Sequence, residues 1–295
     1  MHLNGQIASP LMNRKLHFLL FLMPLSVLGQ NYTLYSDQSY HTISGVSQNL
    51  LNLDVFVPNS GETPKPVMVY IHGGSWSVGD KSAVGSKAEW FTDSNYVFVS
   101  INYRLSPEPA DTLDANRIKF PDHSDDVGKA MAWVIENIGN YQGDTSRISV
   151  IGHSAGAHLA LLVSTDPSYL NNEGYGLSKI KCSCALDAGA HHINYYMENY
   201  IIPYNQTVQW LTYVNAFTSD PTIWSQASPY TYLQANAGIP ELLLVHQGTA
   251  QRIDLNQHFG TQAEAMGIPV TYFNADPMTH EQINQALGHD TAVSV

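Results

Sequence analysis

A chain of 295 residues with 44% hydrophobic content is long enough to bury a sizeable core and suits one large α/β domain. A net charge of −12, with 13 Lys and Arg and no basic cluster beyond the N-terminus, argues against nucleic acid as a partner and favours a well-solvated surface. There is no C-x-x-C pair or H-E-x-x-H segment to suggest zinc, and Cys182 and Cys184, two apart on one strand, point to the same face, which is poor geometry for a disulfide between them.

The first segment reads as an address. Asn13-Arg14-Lys15 precedes the apolar run Leu16 to Leu28, and Gly29 supplies a small residue. That is the layout of an export signal, and the run is too short to span a bilayer comfortably. Residues 1–29 are therefore expected to be a signal peptide, with Met12 an alternative start and cleavage near Gly29 or Gln30. The mature chain is expected to be exported, to periplasm or medium, with no membrane span of its own.

From residue 50 strands and helices alternate. Leu51 to Val57, Pro66 to Ile71 and Tyr96 to Ile101 are unbroken apolar runs, the pattern of strands covered on both faces. A helix is predicted from Val84 to Asp93. A second is predicted from Asp125 to Ile138, with Val127, Met131, Val134 and Ile138 on one face. Arg147 to Ile151 is a strand leading into a helix-compatible run, Ala157 to Val163. Cys182 to Leu186, Leu242 to Val245 and Pro269 to Phe273 are later strands, with helices at Leu255 to Met266 and Glu281 to Leu287. This order predicts an α/β fold with a doubly wound, mostly parallel sheet. Residues 188–240 interrupt the rhythm with Tyr195, Tyr196, Tyr200, Tyr204, Trp210, Tyr213, Phe217 and Trp224. They are expected to form a small aromatic-rich cap or insertion, either shaping a pocket or packing on itself.

Chemistry concentrates in two motifs. Gly152-His153-Ser154-Ala155-Gly156 lies between a strand and a helix. A serine on so tight a turn has its hydroxyl pushed into the open, and flanking glycines leave room for the strained backbone. Ser154 is the candidate nucleophile. His72-Gly73-Gly74-Ser75-Trp76 follows another strand, and its backbone amides suit a developing oxyanion. The amides of Gly74 and Ser75, completed by that of Ala155, form the candidate oxyanion hole.

These two segments and Asn102-Tyr103-Arg104-Leu105-Ser106-Pro107, in this order, resemble the α/β-hydrolase superfamily, within it the carboxylesterase branch near hormone-sensitive-lipase-like and feruloyl-esterase-like proteins. The resemblance spans roughly residues 50–290 and implies a single α/β-hydrolase domain over residues 30–295. It implies a histidine base after the last strand. His280 fits, with His289 as competitor beyond the following helix. In the family the acid often follows the preceding strand in a G-T-x-D segment. Here that segment reads Gly248-Thr249-Ala250-Gln251, and an amide cannot stabilise an imidazolium by charge. Three aspartates stand as replacements: Asp187, at the end of a strand and in the chain order Ser, Asp, His, then Asp254 as second choice, then Asp276. Arg104 is expected to pair with a carboxylate, Asp125 or Asp126 being at hand. Trp76 either walls the pocket or anchors its loop. His153 and His158 support the turn and pack its helix, and His191-His192 are solvated or pack the cap.

The implied activity is that of an exported serine esterase working through an acyl-enzyme, with no cofactor or metal and a small-molecule ester as partner; feruloyl-like esters enter by analogy. Cleavage of another acyl bond, formamide or peptide, is the nearest alternative. A non-catalytic binding protein on the same fold is the rival from another class, and Gln251 is its support.

Overall fold

A computed structural model describes residues 30–288. The segment expected to be a signal peptide, residues 1–29, and His289 lie outside the described residues.

Eight strands form one sheet. In chain order they are β1 (Tyr32–Ser39), β2 (Asn52–Pro58), β3 (Lys65–Ile71), β4 (Val97–Ile101), β5 (Gly143–His153), β6 (Ile180–Leu186), β7 (Glu241–His246) and β8 (Val270–Asn274), and across the sheet the order is β1-β2-β4-β3-β5-β6-β7-β8. The helices are α1 (Lys87–Asp93), α2 (Asp122–Asn137), α3 (Ala155–Thr165), α4 (Ser168–Asn171), α5 (Ile193–Tyr196), α6 (Thr207–Phe217), α7 (Pro221–Gln226), α8 (Ala250–Ala265) and α9 (His280–Ala286).

The sheet is parallel from β4 to β8, while β1 and β2 join it antiparallel. The apolar run of β2 therefore reported two-sided burial and not strand direction. Leu53, Val55 and Val57 pack into the core on one side of the sheet, and Phe56 into the core on the other. β1 escaped the sequence pattern because it is an edge strand, half-buried at best along Tyr32–Ser39. Helices α2 and α3 cover one face through Met131, Val134, Leu159 and Leu162. Phe259 and Ala263 of α8 join that side against Leu242 and Leu244. Helices α1 and α9 cover the opposite face, with Phe91 and Ile283 in one cluster with Phe98, Ile151 and Leu186. α3 is buried along its whole length, as expected for a helix that is apolar all round.

Helix starts differ from the sequence expectation where caps decide them. α8 begins five residues before Leu255, because the Thr249 hydroxyl accepts from the Arg252 amide and opens the helix early. α2 starts at Asp122, earlier than Asp125, and α1 at Lys87, later than Val84.

Register makes the strand ends level. His153 pairs with Leu186, Leu186 with Val245, and His246 with Asn274. The Ser154 amide donates to the Leu186 carbonyl at 2.9 Å, and the Asp187 amide to the Val245 carbonyl at 2.7 Å. The residues just beyond β5, β6, β7 and β8 thus emerge in one row at the carboxyl edge of the sheet, where open α/β sheets place their ligands.

Candidate active site

Ser154 sits at φ 56° and ψ −118° between the end of β5 and the start of α3. A left-handed conformation at a non-glycine residue costs about 1–3 kcal/mol, and here the burial of α3 holds it in place. Gly156 makes the turn feasible. A Cβ at that position would run into the carbonyl oxygens of Ile71 and His72, so α3 lies directly against the end of β3 only because Gly156 lacks one.

That contact also places the His72–Trp76 loop beside the serine. The loop is held from behind. Arg104 forks onto Asp126, with Nε to Oδ2 at 2.7 Å and Nη2 to Oδ1 at 2.9 Å, and its Nη1 reaches Asp122 at 2.7 Å. Of the two carboxylates expected to pair with Arg104, Asp126 does so and Asp125 does not. The neighbouring Tyr103 stacks on the His72 ring at 4.5 Å and donates its hydroxyl to the His72 carbonyl at 3.0 Å. His72 donates from Nδ1 to the Gly73 carbonyl, which fixes its tautomer. Beyond these props the backbone turns sharply, with positive φ at Gly74, Ser75 and Trp76. Among the described residues, nothing accepts a hydrogen bond from the amides of Gly74 and Ser75.

Trp76 both anchors the loop and lines the cavity. Its buried ring packs edge-on against Phe217, Tyr213 and His158, and its indole N–H donates to His158 Nδ1 at 3.3 Å. His158 in turn donates from Nε2 to the Ala227 carbonyl at 2.7 Å, tying α3 to the 188–240 segment. Burial pushes the His158 pKa down to about 4 and keeps the ring neutral for this double duty.

At the other end of the row, His280 Nδ1 donates to Asp187 Oδ2 at 2.6 Å. Asp187 is fully buried, with φ 50°. Burial raises its pKa, but the hydrogen bond from His280, the Arg252 charge and the Gln247 amide outweigh that and hold the carboxyl below its ordinary value. Gln247 supplies two of the bonds, from its backbone N–H to Oδ1 at 3.0 Å and from Nε2 to Oδ2 at 3.1 Å. His153 backs the histidine, its Nε2 donating to the His280 carbonyl at 3.0 Å and its ring packed 4.4 Å from the His280 ring. Burial, with His280 beside it, pushes His153 down to about 4.

The other acid candidates lie elsewhere. Asp254 accepts the hydroxyls of Tyr195 at 3.0 Å and Tyr200 at 2.7 Å, because the early start of α8 carries it one turn into the helix, facing the insertion. Asp276 packs against Gly248 in the turn after β8. Gln251 is in the first turn of α8. Sequence reasoning passed over Gln247 and Arg252; the one available signal for Gln247 was its place directly after β7, next to the strand that ends at Asp187.

Two cavities of about 270 Å³ each flank Ser154, and His280 lines both. One extends toward His72, His153 and Asp80, the other toward Tyr196, Tyr213 and Arg252. The aromatic insertion therefore divides. Tyr196 and Tyr213 face the second cavity, whereas Trp210 and Trp224 pack edge to face at 5.8 Å within the insertion. His191 is buried and bonded to Asn256, and the half-buried His192 bonds to His258 in a stack between Tyr195 and Tyr230, so this pair packs the insertion. Cys182 and Cys184 are both free thiols, half-buried and buried. Among the described residues no helix is long and apolar enough to cross a membrane, and no group of His, Cys, Asp and Glu is arranged to hold a metal.

An eight-stranded, mostly parallel sheet with a serine at the turn after β5 and a carboxylate–histidine pair at the ends of the following strands is the α/β-hydrolase arrangement. Solved structures share this fold. A truncated carbohydrate esterase from gut microbiota superposes with a TM-score of 0.65 at 19% identity, covering 90% of this chain and 95% of that one. Esterase B from Lactobacillus rhamnosis gives 0.66 at 14% identity, covering 88% and 80%. The family model BD-FAE matches residues 53–259, and the chain belongs to that family and so to the α/β-hydrolase carboxylesterases. Among curated proteins, Esterase LipQ of Mycobacterium tuberculosis is 28% identical over 189 residues, which are 61% of this chain and 41% of that protein. A probable isoprenylcysteine alpha-carbonyl methylesterase of Oryza sativa is 24% identical over 176 residues, covering 58% and 40%. The chain thus spans about two fifths of the length of these relatives.

Proposed function

We propose that this protein hydrolyses carboxylic esters through a covalent acyl-enzyme, with Ser154 as nucleophile, His280 as general base and Asp187 as the acid. The carrying observation is the 2.6 Å bond from His280 Nδ1 to a fully buried Asp187, in a row of strand ends shared with Ser154. Membership of a carboxylesterase family supports the same reading.

With Nδ1 committed to Asp187, the Nε2 of His280 takes the Ser154 proton as Oγ attacks the acyl carbon. The carbonyl oxygen becomes an oxyanion held by the amides of Gly74, Ser75 and Ala155. The imidazolium, stabilised by the Asp187 carboxylate, returns the proton to the departing alcohol. Water then repeats the sequence on the acyl-enzyme, releasing the acid and restoring Ser154. Gln247 and Arg252 keep Asp187 ionised, so the charge that Gln251 could not provide comes from the neighbouring strand. That removes the sequence argument for a non-catalytic binding protein.

The test is labelling with a fluorophosphonate probe alongside a panel of p-nitrophenyl and hydroxycinnamoyl esters. Labelling and turnover in the wild type, both lost in Ser154→Ala, are the expected result. A folded wild type that neither labels nor turns over any ester would overturn the reading. Export is part of the proposal and rests on the Arg14-Lys15 pair and the apolar run that follows. N-terminal sequencing of the protein from outside the cytoplasm is expected to begin near Gly29 or Gln30; an intact Arg14-Lys15 would refute it.

A further inference from the structure

Arg252 is more than the mechanism needs. Its side chain is 17% exposed and lines the cavity on the Asp187 side of Ser154. Its Nε stands 3.6 Å from Asp187 Oδ1, too far for a hydrogen bond, and the two Asp187 oxygens are already taken by His280 and Gln247. Among the described residues, only backbone atoms of Arg252 form hydrogen bonds. The guanidinium nitrogens are not among the fully buried polar atoms that lack a partner, so its terminal donors stay open to an acceptor in the cavity.

Two further features bear on this position. Gly189 has φ −122°, a conformation open to any residue, so glycine is not required there by the backbone. A Cβ at Gly189 would meet Arg252 Nη1, so the guanidinium in its present position lies directly over this glycine. Arg252 also lies in the first turn of the 16-residue helix α8, where a cation opposes the helix dipole. Helix stability does not call for an arginine at this point. Gln209 and Thr212 of α6 line the same cavity and add hydrogen-bonding capacity without charge.

We propose that Arg252 binds a carboxylate carried by the substrate, so that the preferred esters are acidic ones, such as half-esters of dicarboxylic acids or esters of hydroxy acids. This rests on the esterase reading above. The planar fork of donors matches a carboxylate in two parallel bonds, and the pairing is strong where water is largely excluded. Arg252 Nε stays beside Asp187, and the terminal Nη1 and Nη2 are the donors left for a substrate carboxylate.

The experiment compares kcat/KM within two matched pairs of esters. 4-Nitrophenyl butyrate against the 4-nitrophenyl half-ester of glutarate places the carboxylate on the acyl side; phenyl acetate against 4-acetoxybenzoate places it on the alcohol side. The wild type is expected to favour the acidic member of one pair by at least about tenfold, less so at high salt. Arg252→Gln is expected to erase that ratio and Arg252→Lys to keep part of it. Equal rates within both pairs, or an Arg252→Gln loss that is equal on neutral and acidic esters, would overturn the proposal and leave esterase activity standing. Calorimetry of glutarate binding to Ser154→Ala, with and without Arg252→Gln, reads the anion site independently of turnover. Binding weakened at least about tenfold by the second substitution is expected, and no difference would refute the site even if every ester proved inert.

Discussion

The two ends of the site are built in opposite ways. The serine end is local: β5, one strained residue and α3 follow each other in the chain, and glycine at 156 sets the approach to β3. The histidine–carboxylate end is assembled from four separate stretches, with Asp187 after β6, Gln247 after β7, Arg252 on α8 and His280 opening α9. The first end is specified by residue type at fixed spacing. The second depends on strand register, because only level strand ends bring Asp187 beside Gln247 and under His280. A local end fails through backbone collision, a distributed end through loss of charge or of a single hydrogen bond.

The sharpest way to separate the two designs is to remove the buried charge and keep the shape. Asp187→Asn is expected to lower kcat by about 10⁴-fold with the fold intact, the cost of leaving the imidazolium unpaired. Asp254→Asn, which loses only tyrosine partners, should change kcat by less than about threefold. Stopped-flow or steady-state kinetics on a p-nitrophenyl ester reads both, and a larger loss at Asp254 would reverse the assignment of the acid.

Backbone collision is the next largest effect. Gly156→Ala gains about 1 kcal/mol of helix propensity but drives a Cβ into the carbonyls of Ile71 and His72, where no flexible side chain can yield. The collision dominates, and urea unfolding should show a net destabilisation of about 2 kcal/mol.

Gln247→Ala sits below that. It deletes the Nε2 bond to Asp187 and retains the backbone N–H bond, so kcat should fall roughly tenfold, at the low end of the about 1.5–3 kcal/mol of a hydrogen bond to a charged group. A loss approaching that of Asp187→Asn would mean that the amide side chain, and not register, positions the acid.

A further effect is a dependence of stability on pH, to which the serine end contributes through His153 and His158 alongside buried histidines elsewhere in the fold. His153 and His158 are held near pKa 4 in the folded chain, against about 6.5 when unfolded. Between those values the unfolded state binds more protons, so these residues contribute stability that is complete above about pH 6.5 and lost as pH falls toward 4. Asp187, held below its ordinary value, adds a loss only at more acid pH. Thermal melts from pH 7.5 to 4 should show Tm declining through this window, with a shallower decline in His158→Gln.

The legible parts of the sequence were those where one stretch of chain carries the whole constraint. Gly152–Gly156 with its strand and helix, the glycine loop at His72–Trp76, and the two-sided burial of β2 through β7 all follow from residue order and apolar runs. So does the placing of Asp187 and His280 at strand ends, given the family order of motifs. What the sequence could not carry was direction and pairing. The run in β2 looks the same whether its neighbour is parallel or antiparallel, because burial on two faces removes the alternation that would mark a side. The partners of Asp187 were hidden because they depend on the lateral alignment of β6 with β7 and on where Thr249 starts α8, a choice that sends Asp254 to the tyrosines and turns Arg252 to the cavity. Sequence alone determined the Ser154 turn, since its geometry is closed within a few residues. The tertiary structure decided which aspartate pairs with His280 and what supports it, since a carboxylate buried between strands is fixed by contacts that adjacent residues do not contain.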